Sequence, residues 1–385
     1  TPEEQQRIQT MPTESLEAYE AYLLGKQRMA RRDTYSLEEA VKYLTQAVDN
    51  DPRFALAWSA LGDVYLLQRE NSRVSENDLL FKAQSAIEKA LEIDPELGEA
   101  HTSLGMLLYN FDDEKGAEHS YRKAIDLAPN YSLTYHWYAI LLRYQGRNRE
   151  AFDMVSMAVQ LDPMSPVIRN HLAVSLRTEG RYEEALKELE KTIAIDPEFA
   201  RAYGAKATIE AMVFNRMARA VQGYGEVIQL NPGSATGYTS LGQLYLALGK
   251  PDRAGMLFDR SHDLVPGGIS ALQGKLLLRA YLGDTDGIKD NVNGVLKYLG
   301  TGPWFAQFSV AQLRNQSIAK SDYEQALDYY STMYPELLDD SDSNIGLHNY
   351  RAAIDLALVL QQKGEWDQAN DLLDRCQDFI RERPR

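Results

Sequence analysis

The sequence predicts an all-α solenoid of about ten stacked antiparallel helix pairs, and three observations carry that expectation. First, prolines recur at Pro52, Pro95, Pro129, Pro163, Pro197, Pro232 and Pro266, at spacings of 43, 34, 34, 34, 35 and 34 residues. Four of them follow Asp and one follows Asn. A helix should stop before each, because proline drives its predecessor out of the α region and has no N–H for the ladder. Second, small residues hold fixed places in the period. Gly62, Gly105, Ala139, Ala173 and Gly242 stand at the eighth position; Ala40, Ala83, Ala117, Ala151, Ala185 and Ala254 stand at the twentieth. Small side chains at matched points let two helices approach closely. Third, Gly146, Gly180, Gly249, Gly283 and Gly364 fall at the turn inside a pair, where a left-handed C-cap suits glycine.

Taken in order, residues 1–15 form a strap ahead of the periodic pattern, with Ser15 placed to cap the first helix. The chain opens without an initiator methionine or an apolar leader, so it reads as part of a longer or processed polypeptide. Pairs then run over 16–52, 55–95, 98–129, 132–163, 166–197, 200–232 and 235–266. The second carries nine extra residues around RENSRVSEN, polar enough to predict a longer loop. A divergent pair covers 269–300, with Gly300 where proline stands elsewhere, and closes the repeat region 16–300. Residues 301–385 continue as divergent pairs over 303–338 and 347–381, joined by an acidic loop, ELLDDSDSN, at 336–344. Ala326 and Tyr330 in the first, and Leu356, Ala357, Gly364, Ala369 and Leu373 in the second, keep the register. Each pair leaves an apolar face that only its neighbour covers. The expectation is therefore one elongated domain, not the two or three that 385 residues would suggest.

Within this period lies the tetratricopeptide pattern W-x2-L-G-x2-Y, A-x3-F, P. Trp58, Leu61, Gly62 and Tyr65, then Ala83, Ala90 and Pro95, follow it; Tyr238, Leu241, Gly242, Tyr245, Ala254, Phe258 and Pro266 give a nearly complete copy. The chain resembles the tetratricopeptide-repeat family. That resemblance implies a right-handed superhelix and a non-catalytic scaffold for protein–protein interaction. The segment PTESLEAYEAYLLGKQRMARR, residues 12–32, resembles the entry into the repeat portion of large bacterial regulators, where a TolB-like segment runs directly into the repeats. Upstream of it those proteins carry a winged-helix DNA-binding domain or a nucleotidyl cyclase. The resemblance implies the C-terminal sensory or docking part of such a regulator, in the bacterial cytoplasm or the periplasm.

Composition narrows the function classes. There are 41 Lys and Arg against 56 Asp and Glu, a formal charge of −15, which argues against nucleic-acid binding, since phosphate contacts need clustered Lys and Arg. No run of about 18 apolar residues is present to span a membrane. The single cysteine, Cys376, excludes an internal disulfide framework and any Cys-rich zinc site. It falls on the slot held by Ala47, Ala90, Ala124 and Ala158, so it reads as a buried packing residue. GxxxxGK[ST], GxGxxG, HExxH and GxSxG are all absent, and no catalytic residue or cofactor is expected. His101, His119, His136, His171, His262 and His348 show no metal-ligand spacing. His101 occupies the slot of Trp58 and Tyr238 and reads as packing. Neither GDTDG at 283–287 nor Asp340-x-Asp342-x-Asn344 completes a calcium loop, so no metal is expected.

The functional candidates lie on the groove. In the resembling family, peptides lie against first helices at positions two, five, nine and twelve of each repeat. Carried over, these are His136, Ile140, Arg143, Asn170, Val174, Arg177 and Arg201. Three arginines gather there in an acidic chain, and a guanidinium fork suits a carboxylate. The expected partner is a protein or peptide offering an acidic or C-terminal segment, with self-association as a further outcome for such a surface. The family's carboxylate clamp has Lys at position five and Asn at nine; this chain has His136 with Ile140, then Asn170 with Val174, and so departs from it. The alternative is a small-molecule or oligosaccharide sensor, its pocket near Trp304, Phe305 and Phe308.

Overall fold

The computed structural model describes residues 12–69, 75–266, 268–284, 287, 322–338, 345 and 349–381. All regular structure among them is helical. Seven complete pairs come first: α1 Leu16–Met29 with α2 Thr34–Asn50, α3 Ala55–Gln68 with α4 Glu76–Ile93, α5 Gly98–Asn110 with α6 Glu114–Leu127, α7 Ser132–Tyr144 with α8 Asn148–Leu161, α9 Pro166–Thr178 with α10 Tyr182–Ile195, α11 Ala200–Met212 with α12 Met217–Leu230, and α13 Ala235–Ala247 with α14 Pro251–Leu264. Then follow α15 Ile269–Leu282, α16 Tyr323–Met333, a 3-10 turn Pro335–Leu337, α17 Tyr350–Lys363 and α18 Trp366–Arg381. This is an all-α helical repeat fold. The chain divides into two compact units, Thr1–Ala202 and Tyr203–Arg385, the division falling within α11.

The punctuation works as the sequence reading expected. Second helices end two residues before the proline, at Asn50, Ile93, Leu127, Leu161, Ile195 and Leu230. Ser15 Oγ accepts from Ala18 N–H at 3.1 Å and caps α1. All five turn glycines are left-handed, with φ between 69° and 94°. Arg32, Asp112 and Asn215 take the same region without glycine, at φ 61°, 60° and 52°. The eighth position is small because nothing larger fits. A Cβ on Gly105 would lie 2.7 Å from Tyr121 Cε1, and one on Gly242 would lie 2.5 Å from Phe258 Cε1. Both rings are fully buried and have nowhere to retreat.

A further device recurs at the fourth position of first helices. Trp58 Nε1–H donates to Pro52 O at 3.0 Å, Tyr135 O–H to Pro129 O at 2.9 Å and Arg169 Nε–H to Pro163 O at 2.6 Å. His101 Nε2 and Pro95 O are 2.9 Å apart in the same place. Each bond ties a first helix back to the turn that ends the preceding pair. His101 is buried, so its role is packing plus this tether.

In the first unit the apolar core is continuous. One cluster, with Phe54, Leu44 and Leu61, fills pairs one and two; a second, with Ile87, Tyr121, Trp137, Leu141 and Val155, runs from pair two into pair five. In the second unit Ala207, Ala220 and Leu244 form one cluster, Leu246, Ala254 and Phe258 another, and Tyr330, Leu356, Leu360 and Cys376 a third. Cys376 is 2 % exposed, its Sγ 3.7 Å from Tyr350 O, and burial pushes the thiol up from its ordinary value. It is a packing residue, as its repeat slot predicted.

Two expectations need correction. The insertion loop was expected through Asn77, but α4 begins at Glu76, which with Asp78 puts carboxylates in the positive first turn. The segment 336–344 was expected to be a solvated acidic loop; its start is a 3-10 turn whose Leu337 is buried in the core with Tyr330 and Leu356. Residues 339–344 lie outside the described residues, as do Gly300 and the second helix of the eighth pair. Ala151 and Ala185 at the twentieth position are buried between helices. Ala151→Leu or Ala185→Leu should each cost about 1–3 kcal/mol by overpacking. A denaturation midpoint unchanged in both would show that the register is wrong.

Candidate peptide-binding groove

First helices line the inner side of the first unit. Lys26 of α1 lies near Tyr131, the residue capping α7: Nζ donates to the phenol oxygen at 3.4 Å and sits 5.6 Å from the ring centroid. Residues 105 apart in sequence meet because the stack curves around this face. Lys26 and Tyr131 are both half-buried.

At the N-terminal end the floor holds Lys26, Asp63, Glu99, Tyr22 and Tyr131. Asp63 is 0 % exposed. Ser103 O–H donates to its Oδ1 at 2.5 Å, while Oδ2 is buried without a partner. Burial pushes the carboxyl up to about 6, against the opposing pull of Lys26, Ser103 and Arg32. Burial likewise draws the Lys26 ammonium down, against the attraction of Asp63 and Glu99.

Farther along the floor stand the residues singled out in the sequence. His136 is 2 % exposed and Asn170 is buried; Ile140, Arg143, Val174 and Arg177 are half-buried; Arg201 is exposed. His136 and Asn170 are thus more enclosed than a groove surface would require. The structure brings His136 together with His171 of α9, Nε2 to Nδ1 at 2.8 Å and ring centroids 4.4 Å apart. Burial first, then the neighbouring imidazole, Arg32 and Arg143, hold His136 well below its ordinary value. Burial with Arg143, Arg201 and Arg32 takes His171 down to about 3. His136 Nδ1 and Asn170 Oδ1 are buried without partners.

Arg143 and Arg177, at position twelve of successive pairs, form no ion pair with any described carboxylate. Burial lowers Arg143, with Tyr109 opposing and Arg177 adding to the shift. Three other arginines of these pairs are held by carboxylates. Arg147 bridges Glu118 at 2.8 Å and Glu150 at 2.6 Å; Arg181 meets Glu184 at 2.8 Å; Arg169 meets Glu188 at 2.7 Å. His171 was missed as a groove residue because it stands at position six, outside the positions the family pattern names. Its spacing of 35 from His136, one more than the repeat, was the available signal. Trp304, Phe305 and Phe308 lie outside the described residues. Among the described residues no three His, Cys, Asp or Glu side chains gather as a metal ion would need. No described helix is long and apolar enough to cross a membrane.

The repeat geometry is that of a tetratricopeptide-repeat protein, a fold class that serves as a scaffold for protein–protein interaction. Models of the tetratricopeptide repeat match residues 22–73, 98–131 and 142–209. The transcriptional regulator HilA of Salmonella typhimurium (strain LT2) is 30% identical over 93 residues, and that of Salmonella typhi matches equally. The match covers 24% of this chain, and the chain spans only 17% of the length of these curated relatives. Among solved structures, human IFIT1, a dimer with PPP-AAAA, covers 94% of this chain and 94% of its own at 16% identity and a TM-score of 0.57. PilW, a type IV pilus biogenesis factor, covers 57% of this chain and 98% of its own at 17% identity and a TM-score of 0.48.

Proposed function

We propose that the first unit is a docking groove for an acidic or C-terminal segment of a partner protein. One observation carries this reading: Arg143 and Arg177 form no ion pair among the described residues of a chain with net charge −15. A half-buried guanidinium without a counter-ion leaves a charge-assisted, two-pronged site for a carboxylate. Arg201, Tyr109 and the exposed Tyr144 extend the floor; the two tyrosine rings meet edge to face with centroids 5.5 Å apart. The groove needs no catalytic group and acts by shape and charge. The likeness to HilA supports a place in a bacterial regulatory protein, with this region as its sensory or docking part.

The double variant Arg143→Glu, Arg177→Glu tests the groove. Binding of a fluorescein-labelled hexa-aspartate with a free C-terminus should weaken about 30-fold or more, equivalent to about 2 kcal/mol. Equal affinity for the parent protein and the variant would overturn the reading.

A further inference from the structure

The His136–His171 pair links α7 to α9 and lies in the field of Arg32, Arg143 and Arg201. Two imidazoles at 2.8 Å share one hydrogen between Nε2 of one and Nδ1 of the other. A neutral pair has two hydrogens for four nitrogens, so one of its outward nitrogens, His136 Nδ1 or His171 Nε2, is always bare. One more proton gives both outward nitrogens an N–H and makes His136 Nδ1, at present buried without a partner, a charged donor.

The groups bearing on the pair come from three places. Arg32 faces it from the first hairpin, Arg143 from α7 itself and Arg201 from α11, with Arg177 of α9 beside Arg143. All are cations, and with burial they account for the downward shift of both imidazoles. Asp63 and Glu99 bear on Lys26, Tyr22 and Tyr131, and Asp112 and Glu114 on Tyr109. In the free protein this field and the burial keep the pair neutral. An anion seated on Arg143 and Arg177 would cancel much of that field and offer an acceptor to the added N–H.

We propose that the groove takes up a proton from solvent together with its anionic ligand, and that the His136–His171 pair holds it. This rests on the docking reading above and adds a pH sense to it. Binding raises the affinity of the imidazoles for a proton, so lower pH must tighten ligand binding by linkage. The device would make the groove release an acidic segment as pH rises through neutrality.

The probe is the same labelled hexa-aspartate, titrated into the full chain between pH 5.0 and 7.5. Affinity should rise by about tenfold or more across this range, and calorimetry in buffers of different ionisation enthalpy should show protons entering the complex. His171→Gln, at a half-buried position, should flatten the profile; His136→Gln should do the same where it remains folded by circular dichroism. Asp63 also titrates near pH 6, so Asp63→Asn is measured beside them and should keep the slope. Binding that is present but independent of pH, or a slope lost only in Asp63→Asn, overturns the proton uptake and leaves the docking reading standing. No binding at any pH overturns both.

Discussion

Trp137→Ala should cost the first unit about 3–5 kcal/mol, the range for emptying a buried aromatic site. Trp137 is 2 % exposed and belongs to the cluster that runs from pair two into pair five. Its loss leaves a void that Tyr121, Leu141 and Val155, all fully buried in that cluster, cannot fill without leaving their own contacts. Stability in a stacked repeat is nearly a sum of each pair and its neighbour contacts. Hydrogen exchange should therefore show the loss concentrated in the third to fifth pairs, with α17 and α18 in the second unit unaffected. A cost below about 1 kcal/mol by denaturant titration would contradict the packing described, since burial of that size is never idle.

Asp63→Asn should have the opposite sign. The folded state holds this carboxyl at about 6, above its ordinary 3.8, because burial penalises the charge. An acid whose folded value is raised binds its proton more tightly in the folded state. The parent protein therefore gains stability as pH falls from about 6 towards 4, and at pH 7 carries a penalty of about 2–3 kcal/mol. The amide keeps an acceptor for Ser103 and removes the charge. It should be more stable than the parent at pH 7 by about that amount, with the gain vanishing near pH 4. Thermal unfolding at both pH values checks this; a variant less stable at pH 7 would mean that Lys26 and Arg32 more than compensate the burial.

The fold was legible because its signals are local and repeated. Proline ends each second helix by removing a donor, glycine turns each pair, and a small residue marks every close crossing. Those constraints act within about ten residues and survive in one sequence. The groove was legible in part. The register placed Arg143 and Arg177 on the inner face, but not their freedom from ion pairs, which depends on where Glu118, Glu150 and Glu184 reach in space. Nor did spacing reveal that Lys26 reaches Tyr131 across 105 residues. Such pairings depend on the curvature of the stack, which accumulates from small rotations at each interface and leaves no residue-level mark. The start of the acidic stretch was misread for a related reason: composition reported charge, whereas Leu337 follows the core.

The tether at the fourth position has a consequence for how such a chain can change over time. An indole, an imidazole, a phenol and a guanidinium all reach the same proline carbonyl. What is held constant is a hydrogen at a given distance from the helix axis, not a side-chain shape. Copies of the repeat can thus drift far apart in letters while each stays fastened to its predecessor. A tally of shared residues between copies undercounts their kinship, and the more reliable measure is which donor each copy extends towards the turn behind it.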